Sequence, residues 1–149
     1  MMTLEDKTIS AWWALRIGLG LGPFLAGLDK FFNILTDWKM YLSPYLAHVL
    51  PIGDAVFMHA AGVVEMIVGI AVLTRWTRFG SYILAAWLVA ISLNLVSTGM
   101  FFDLAVRDLE IAIAAYTLAR LTEARELVDA TAVNRYAELP LTQSAKVRA

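Results

Sequence analysis

Residues 79–98 read FGSYILAAWLVAISLNLVST and contain no Asp, Glu, Lys or Arg. Wound as a helix at about 1.5 Å per residue, the stretch reaches about 30 Å, the thickness of a bilayer's hydrocarbon core. One such stretch could be a buried helix in a soluble domain. Three further apolar segments of similar length, near Ala11–Leu28, Ala55–Leu73 and Leu104–Leu121, argue otherwise. The sequence therefore predicts an all-α integral membrane protein, a four-transmembrane-helix bundle.

The composition of the chain points the same way. Of 149 residues, 60% are hydrophobic and 17% charged, with a mean hydropathy of +0.67. Soluble domains carry about 45–50% apolar and about 25% charged residues. A chain this small cannot bury so much apolar surface in one core, so lipid must cover the remainder. A net charge of −1 gives no basic face for nucleic acid. The absence of cysteine excludes disulfides, thiolate catalysis, Cys-ligated iron–sulfur clusters and covalent haem.

Lys and Arg in short loops set membrane orientation. With four spans, Lys7, Arg75, Arg78, Arg120, Arg125, Arg135, Lys146 and Arg148 share one side, and only Lys30 and Lys39 lie on the other. The basic side is predicted to be cytoplasmic, with both termini there. Trp12, Trp13, Trp38 and Trp76 stand near segment ends, where interfacial aromatics belong. Glu5, Asp6 and Arg16 interrupt any signal-peptide pattern, so the first apolar segment reads as a retained helix. Two regions are expected: residues 1–121 as the transmembrane domain, and 122–149 as a cytoplasmic tail. The tail is expected to begin as a helical extension and to become disordered from Pro140 onward.

Between the first two spans lies a long amphipathic outer loop, Lys30 to Asp54. Phe31, Phe32, Ile34, Leu35, Trp38, Tyr41, Leu42, Tyr45 and Leu46 recur there at helical spacing. This predicts one or two short helices lying on the bilayer, ended by Pro44 and Pro51. Packing as a lid on the bundle is the simpler role; gating an outward-facing cavity is the functional one.

Ionisable groups in hydrocarbon are costly and persist where they face the bundle interior. Here they are Arg16 on the first segment, Glu65 on the second, and Arg107, Asp108 and Glu110 on the fourth. Lys30 stands at the outer end of the first segment, and His59 and Asn94 add polarity on the second and third. Helical rise puts Glu65 near mid-membrane and Arg16 about 6 Å toward the cytoplasm. His59, Asn94 and Arg107 fall about 7–9 Å toward the outside. These eight residues are the candidates for ligand binding or proton handling. Arg16 and Arg107 set against Glu65, Asp108 and Glu110 leave one acid in excess, and Glu65 is the candidate for it if it lacks an Arg partner. Fixing helix register is the competing role for all of them.

Small residues suggest close helix packing: Gly18 and Gly22 form a G-x-x-x-G, and Gly62, Glu65 and Gly69 share one face. Metal and haem sites are not expected. His48 and His59 are the only histidines, and His59 and Glu65 are too far apart in sequence for an H-E-x-x-H site.

Several of these positions resemble the DoxX-like family of small four-helix membrane proteins. The resemblance rests on Arg16 before Gly20, Gly27-Leu-Asp-Lys30, Gly62-Val-Val-Glu65-Met-Ile-Val-Gly69, Arg75 and Arg78, and Arg107-Asp108-Leu109. It spans roughly residues 11–121. It implies a compact four-helix bundle in the bacterial plasma membrane. Relatives include the small membrane subunit of a thiosulfate:quinone oxidoreductase, proteins associated with oxidative-stress enzymes, and accessory or assembly factors. The expectation is an accessory subunit of a membrane redox system, with a quinone as cofactor held by Lys30, Asn94 and Arg107, and with Glu65 or Asp108 relaying protons. Electrons would come from a protein partner. The alternatives are a membrane anchor or assembly factor, and small-solute transport through a homo-oligomer.

Overall fold

The structure is a computed structural model that describes residues 3–49 and 51–137. The chain is helical: α1 (Leu4–Asp29), a 3₁₀ turn (Trp38–Tyr41), α2 (Pro44–Val49), α3 (Asp54–Leu73), α4 (Thr77–Ser97) and α5 (Phe102–Ala137). Helix α1 begins with a capping box, in which the Thr3 hydroxyl accepts from the Asp6 amide and the Asp6 carboxylate accepts from the Thr3 amide.

Among the described residues, three helices, α1 from Glu5, α3 and α4, are long and apolar enough to cross a membrane. Helix α5 has the length, but Asp103, Arg107, Asp108 and Glu110 crowd its first turns and set it apart. These helices are inside out by the standard of a soluble bundle. Leu25, Ile67, Leu93 and Ile113 point outward and are more than half exposed. The inward face of α3 is Met58, Ala61, Gly62, Glu65, Val68, Gly69 and Val72, spaced by three and four residues. Such a distribution is that of a multi-pass membrane protein.

The long helices run up and down as two tightly packed antiparallel pairs, α1 with α3 and α4 with α5. Glycine sets the first pair. A Cβ on Gly27 would stand 2.5 Å from the Gly62 carbonyl oxygen, and one on Gly69 would stand 2.6 Å from that of Gly20. Backbone therefore lies on backbone. The expected G-x-x-x-G does not make this contact: Gly18 and Gly22 have no neighbour a Cβ would meet. The contacting glycines, Gly20 and Gly27, are seven apart, two turns along the same face. Gly80 brings α4 against Ala71 and Val72 of α3. The core of Trp12, Val72, Leu84, Ala115 and Leu118 fills the end of the bundle nearest the α3–α4 turn.

The connection after α1 folds over the other end as a lid. Asp29 organises it: its carboxylate accepts from the Ile34 and Leu35 amides (3.0 and 3.1 Å) and from the Trp38 indole (2.8 Å). Pro44 does not end a helix there; it opens α2, where its missing N–H costs nothing because the first helical amides have no intrahelical partner. Helix α2 stops at Val49, before Pro51. Helix α5 continues without a break past residue 121 to Ala137, so the polar extension is helical. The expected disorder from Pro140, and Lys146 and Arg148, lie outside the described residues.

Candidate functional site

A cavity of about 800 Å³ opens under the lid, between the two helix pairs. Most of its wall is apolar, with Leu19, Leu84 and Leu88 on its inner side. Gly18, Gly22 and Ala26 leave room on α1 by having little or no side chain. Five of the eight candidate residues line it: Lys30, Glu65, Asn94, Arg107 and Asp108.

Lys30 and Glu65 form an ion pair, Nζ to Oε2 at 2.6 Å, each side chain only 7% exposed. The ammonium also lies 3.8 Å from the centre of the Trp38 ring, so an indole face stabilises its remaining charge. Glu65 therefore has a cationic partner, a Lys rather than an Arg. The Trp87 indole N–H points at the other Glu65 oxygen from 3.5 Å. Across the cavity Asp108 is buried. Its Oδ1 accepts from the Arg107 guanidinium at 3.1 and 3.3 Å, and its Oδ2 has no hydrogen-bond partner among the described residues. Asp108 is close enough to Lys30 and Glu65 for their charges to act on one another. The cavity wall thus holds two cations and two carboxylates. It is balanced.

The other three candidates lie elsewhere. Arg16 donates to the carbonyl oxygens of Val72, Leu73 and Thr74 at 3.1, 2.8 and 2.6 Å, capping the end of α3. His59 stacks on Phe31, ring centroids 4.8 Å apart and planes 5° apart, on the outside of the bundle. Glu110 faces outward on α5. Helical rise fixed their heights, and the side each faces depends on rotations that the apolar pattern constrains weakly.

Asn94 does a different task from the charged groups. Its amide donates to the Tyr41 carbonyl (2.7 Å) and accepts from the Ser43 amide (3.0 Å), gripping the lid backbone on both sides of Leu42. Two contributors were not singled out from sequence. Trp87 is a mid-helix tryptophan whose N–H needs an acceptor in hydrocarbon, which is the signal that could have found it. Asp29, the last residue of α1, is the organiser of the lid turn.

Chemically, the cavity offers donors at Lys30, Arg107 and Trp87, and acceptors at Glu65 and Asp108, within an apolar wall. That is a site for a ring or chain that is mostly apolar and carries a few polar atoms. Among the described residues, no three His, Asp or Glu side chains gather as a metal site would need. Comparison with protein-family models, with curated proteins and with solved structures gives no match.

Proposed function

We propose that this chain is a DoxX-like four-span protein of the bacterial plasma membrane, with both termini cytoplasmic, and that its cavity takes the head of a quinone as part of a membrane redox system. The carrying observation is the cavity of about 800 Å³ in which Lys30, Glu65, Trp87, Arg107 and Asp108 converge within an apolar wall. Helix α5 serves as the fourth span, with its buried Asp108 carboxylate paired to Arg107, whose side chain is 60% exposed. The basic residues gather at the end with the α3–α4 turn, which supports a cytoplasmic face there.

The residues present fit a quinone. Its carbonyl oxygens need donors, which Arg107, Lys30 and the Trp87 indole supply. Its isoprenoid tail needs an apolar route, which the bare α1 backbone at Gly18 and Gly22 leaves toward lipid. When bound, the quinone supplies electron acceptance coupled to proton uptake. The chain's own part is to orient the ring, exclude water with the lid, and hold protons at Asp108 Oδ2 or Glu65 Oε1. Electrons come from a partner protein.

The test is to extract the protein with its surrounding lipid and measure the quinone retained per chain. Retention that disappears in a folded Arg107→Leu variant supports the reading. Wild-type protein free of quinone sinks it. A second reading, an anchor or assembly factor, is favoured by the closed Lys30–Glu65 pair and by the exposed apolar lid residues Phe32, Ile34 and Tyr45. Under that reading the charges only fix register, and partner proteins are retained without quinone.

A further inference from the structure

We propose that Arg16 and Arg125 together bind the phosphate group of an anionic phospholipid, at the end of the bundle opposite the lid. Both guanidiniums lie against the Trp12 ring, with Cζ 4.8 Å from its centre for Arg16 and 4.2 Å for Arg125. They are close enough to repel each other. Among the described residues, neither has a carboxylate within ion-pair distance. Arg16 spends its hydrogen bonds on the neutral carbonyls that end α3. Arg125 Nη1 is buried and has no hydrogen-bond partner among the described residues. Of the acids around it on α5, Glu126 is engaged by Arg78 at 2.7 Å and Glu123 by Arg120 and Tyr82, while Asp129, one turn on, is exposed and forms no ion pair with it.

A buried guanidinium N–H without an acceptor is rare in a finished structure and points to a missing partner. Two neighbouring guanidiniums without a carboxylate partner among the described residues call for an anion. Their planar forks suit the oxygens of a phosphate. The position selects the source of that phosphate. Trp12 and Trp13 mark the interfacial level of α1. From there, the half-exposed Ile17 and Leu21 offer an apolar track for an acyl chain. A basic pocket between spans at this level is where an anionic headgroup settles. The proposal rests on the membrane placement alone and is independent of what fills the cavity.

The full chain is placed in nanodiscs of phosphatidylcholine with a minor share of phosphatidylglycerol, then released gently, and the retained lipids are counted by native mass spectrometry. Wild type is expected to keep phosphatidylglycerol in preference to phosphatidylcholine. Arg125→Gln is the chosen variant because Arg16 also caps α3. Its phosphatidylglycerol retention is expected to fall about fivefold, as loss of one interfacial Arg implies. Arg125→Lys, which keeps the charge without the fork, should fall between the two. Unchanged retention in Arg125→Gln overturns the proposal. So does wild-type protein with no preference for phosphatidylglycerol, however the variants behave. Inorganic phosphate that raises the thermal midpoint as much as phosphatidylglycerol overturns the lipid as the source.

Discussion

Along its axis the bundle has two halves built from similar residues in different ways. Toward the α3–α4 turn it is filled. There Trp12, Val72, Ala115 and Leu118 belong to one buried cluster, and several polar side chains bond backbone or hydroxyl partners. Arg16 caps carbonyls, Thr77 donates to the Val72 carbonyl, and the Trp12 indole donates to the Thr122 hydroxyl at 2.8 Å. Under the lid the bundle is hollow, and its polar groups answer one another across a gap. The difference teaches that a charge inside a membrane bundle has no fixed meaning. Beside a helix end it finishes the backbone; between separated helix pairs it lines a chamber.

The comparison can be broken most forcefully at Lys30. Lys30→Met leaves the Glu65 carboxylate buried without its cation and is expected to cost about 3–5 kcal/mol, read as a fall in thermal midpoint in detergent. Adding Glu65→Leu should restore most of that stability, since an apolar pair of similar volume replaces a buried ion pair with little or no loss. If quinone retention returns with stability in the double variant, the pair is only architectural. The closed pairing of α1 with α3 comes next. Gly62→Val drives a side chain into the Gly27 carbonyl and should cost about 1–3 kcal/mol or more, visible as lost monodisperse protein in size exclusion. Asn94→Leu removes both lid hydrogen bonds, about 1–2 kcal/mol together, and should speed amide exchange around Leu42 while leaving α1 and α3 protected. Unchanged exchange there would mean that Asp29 and Trp38 hold the lid without Asn94. The smallest effect is expected at Gly18→Ala, within about 0.5 kcal/mol, because nothing faces that position. A large loss at Gly18 would show a contact outside this chain.

What could be read from the sequence follows the same division. Lys30, Glu65, Asn94, Arg107 and Asp108 were legible because polar groups in apolar stretches must be satisfied inside the bundle, and helical rise put Asn94 and Arg107 at a common depth outward of Glu65. Arg16, His59 and Glu110 share the chemistry but not the direction. Rise along a helix fixes height, and only packing fixes rotation. For the α1–α3 contact, the eye goes to Gly18 and Gly22, four apart, while the backbones meet at Gly20 and Gly27. Pro44 misled for a related reason: proline both ends and begins helices, and only the fold of the preceding residues decides which. Asp29 and Trp38 were hidden because their bond depends on a turn through Asn33 in the left-handed region, with φ of 51°, which hydropathy does not encode.

Helix α5 has no break between Asp108, on the cavity wall, and Arg135, far outside it. A straight helix of that length is a rod of about 40 Å. Its proline-free interior gives it no joint at which to absorb a twist. A protein that grips the far end therefore holds a lever whose short arm ends at the Asp108 carboxylate. The far end of α5 and the Asp108 carboxylate are therefore carried by one continuous element.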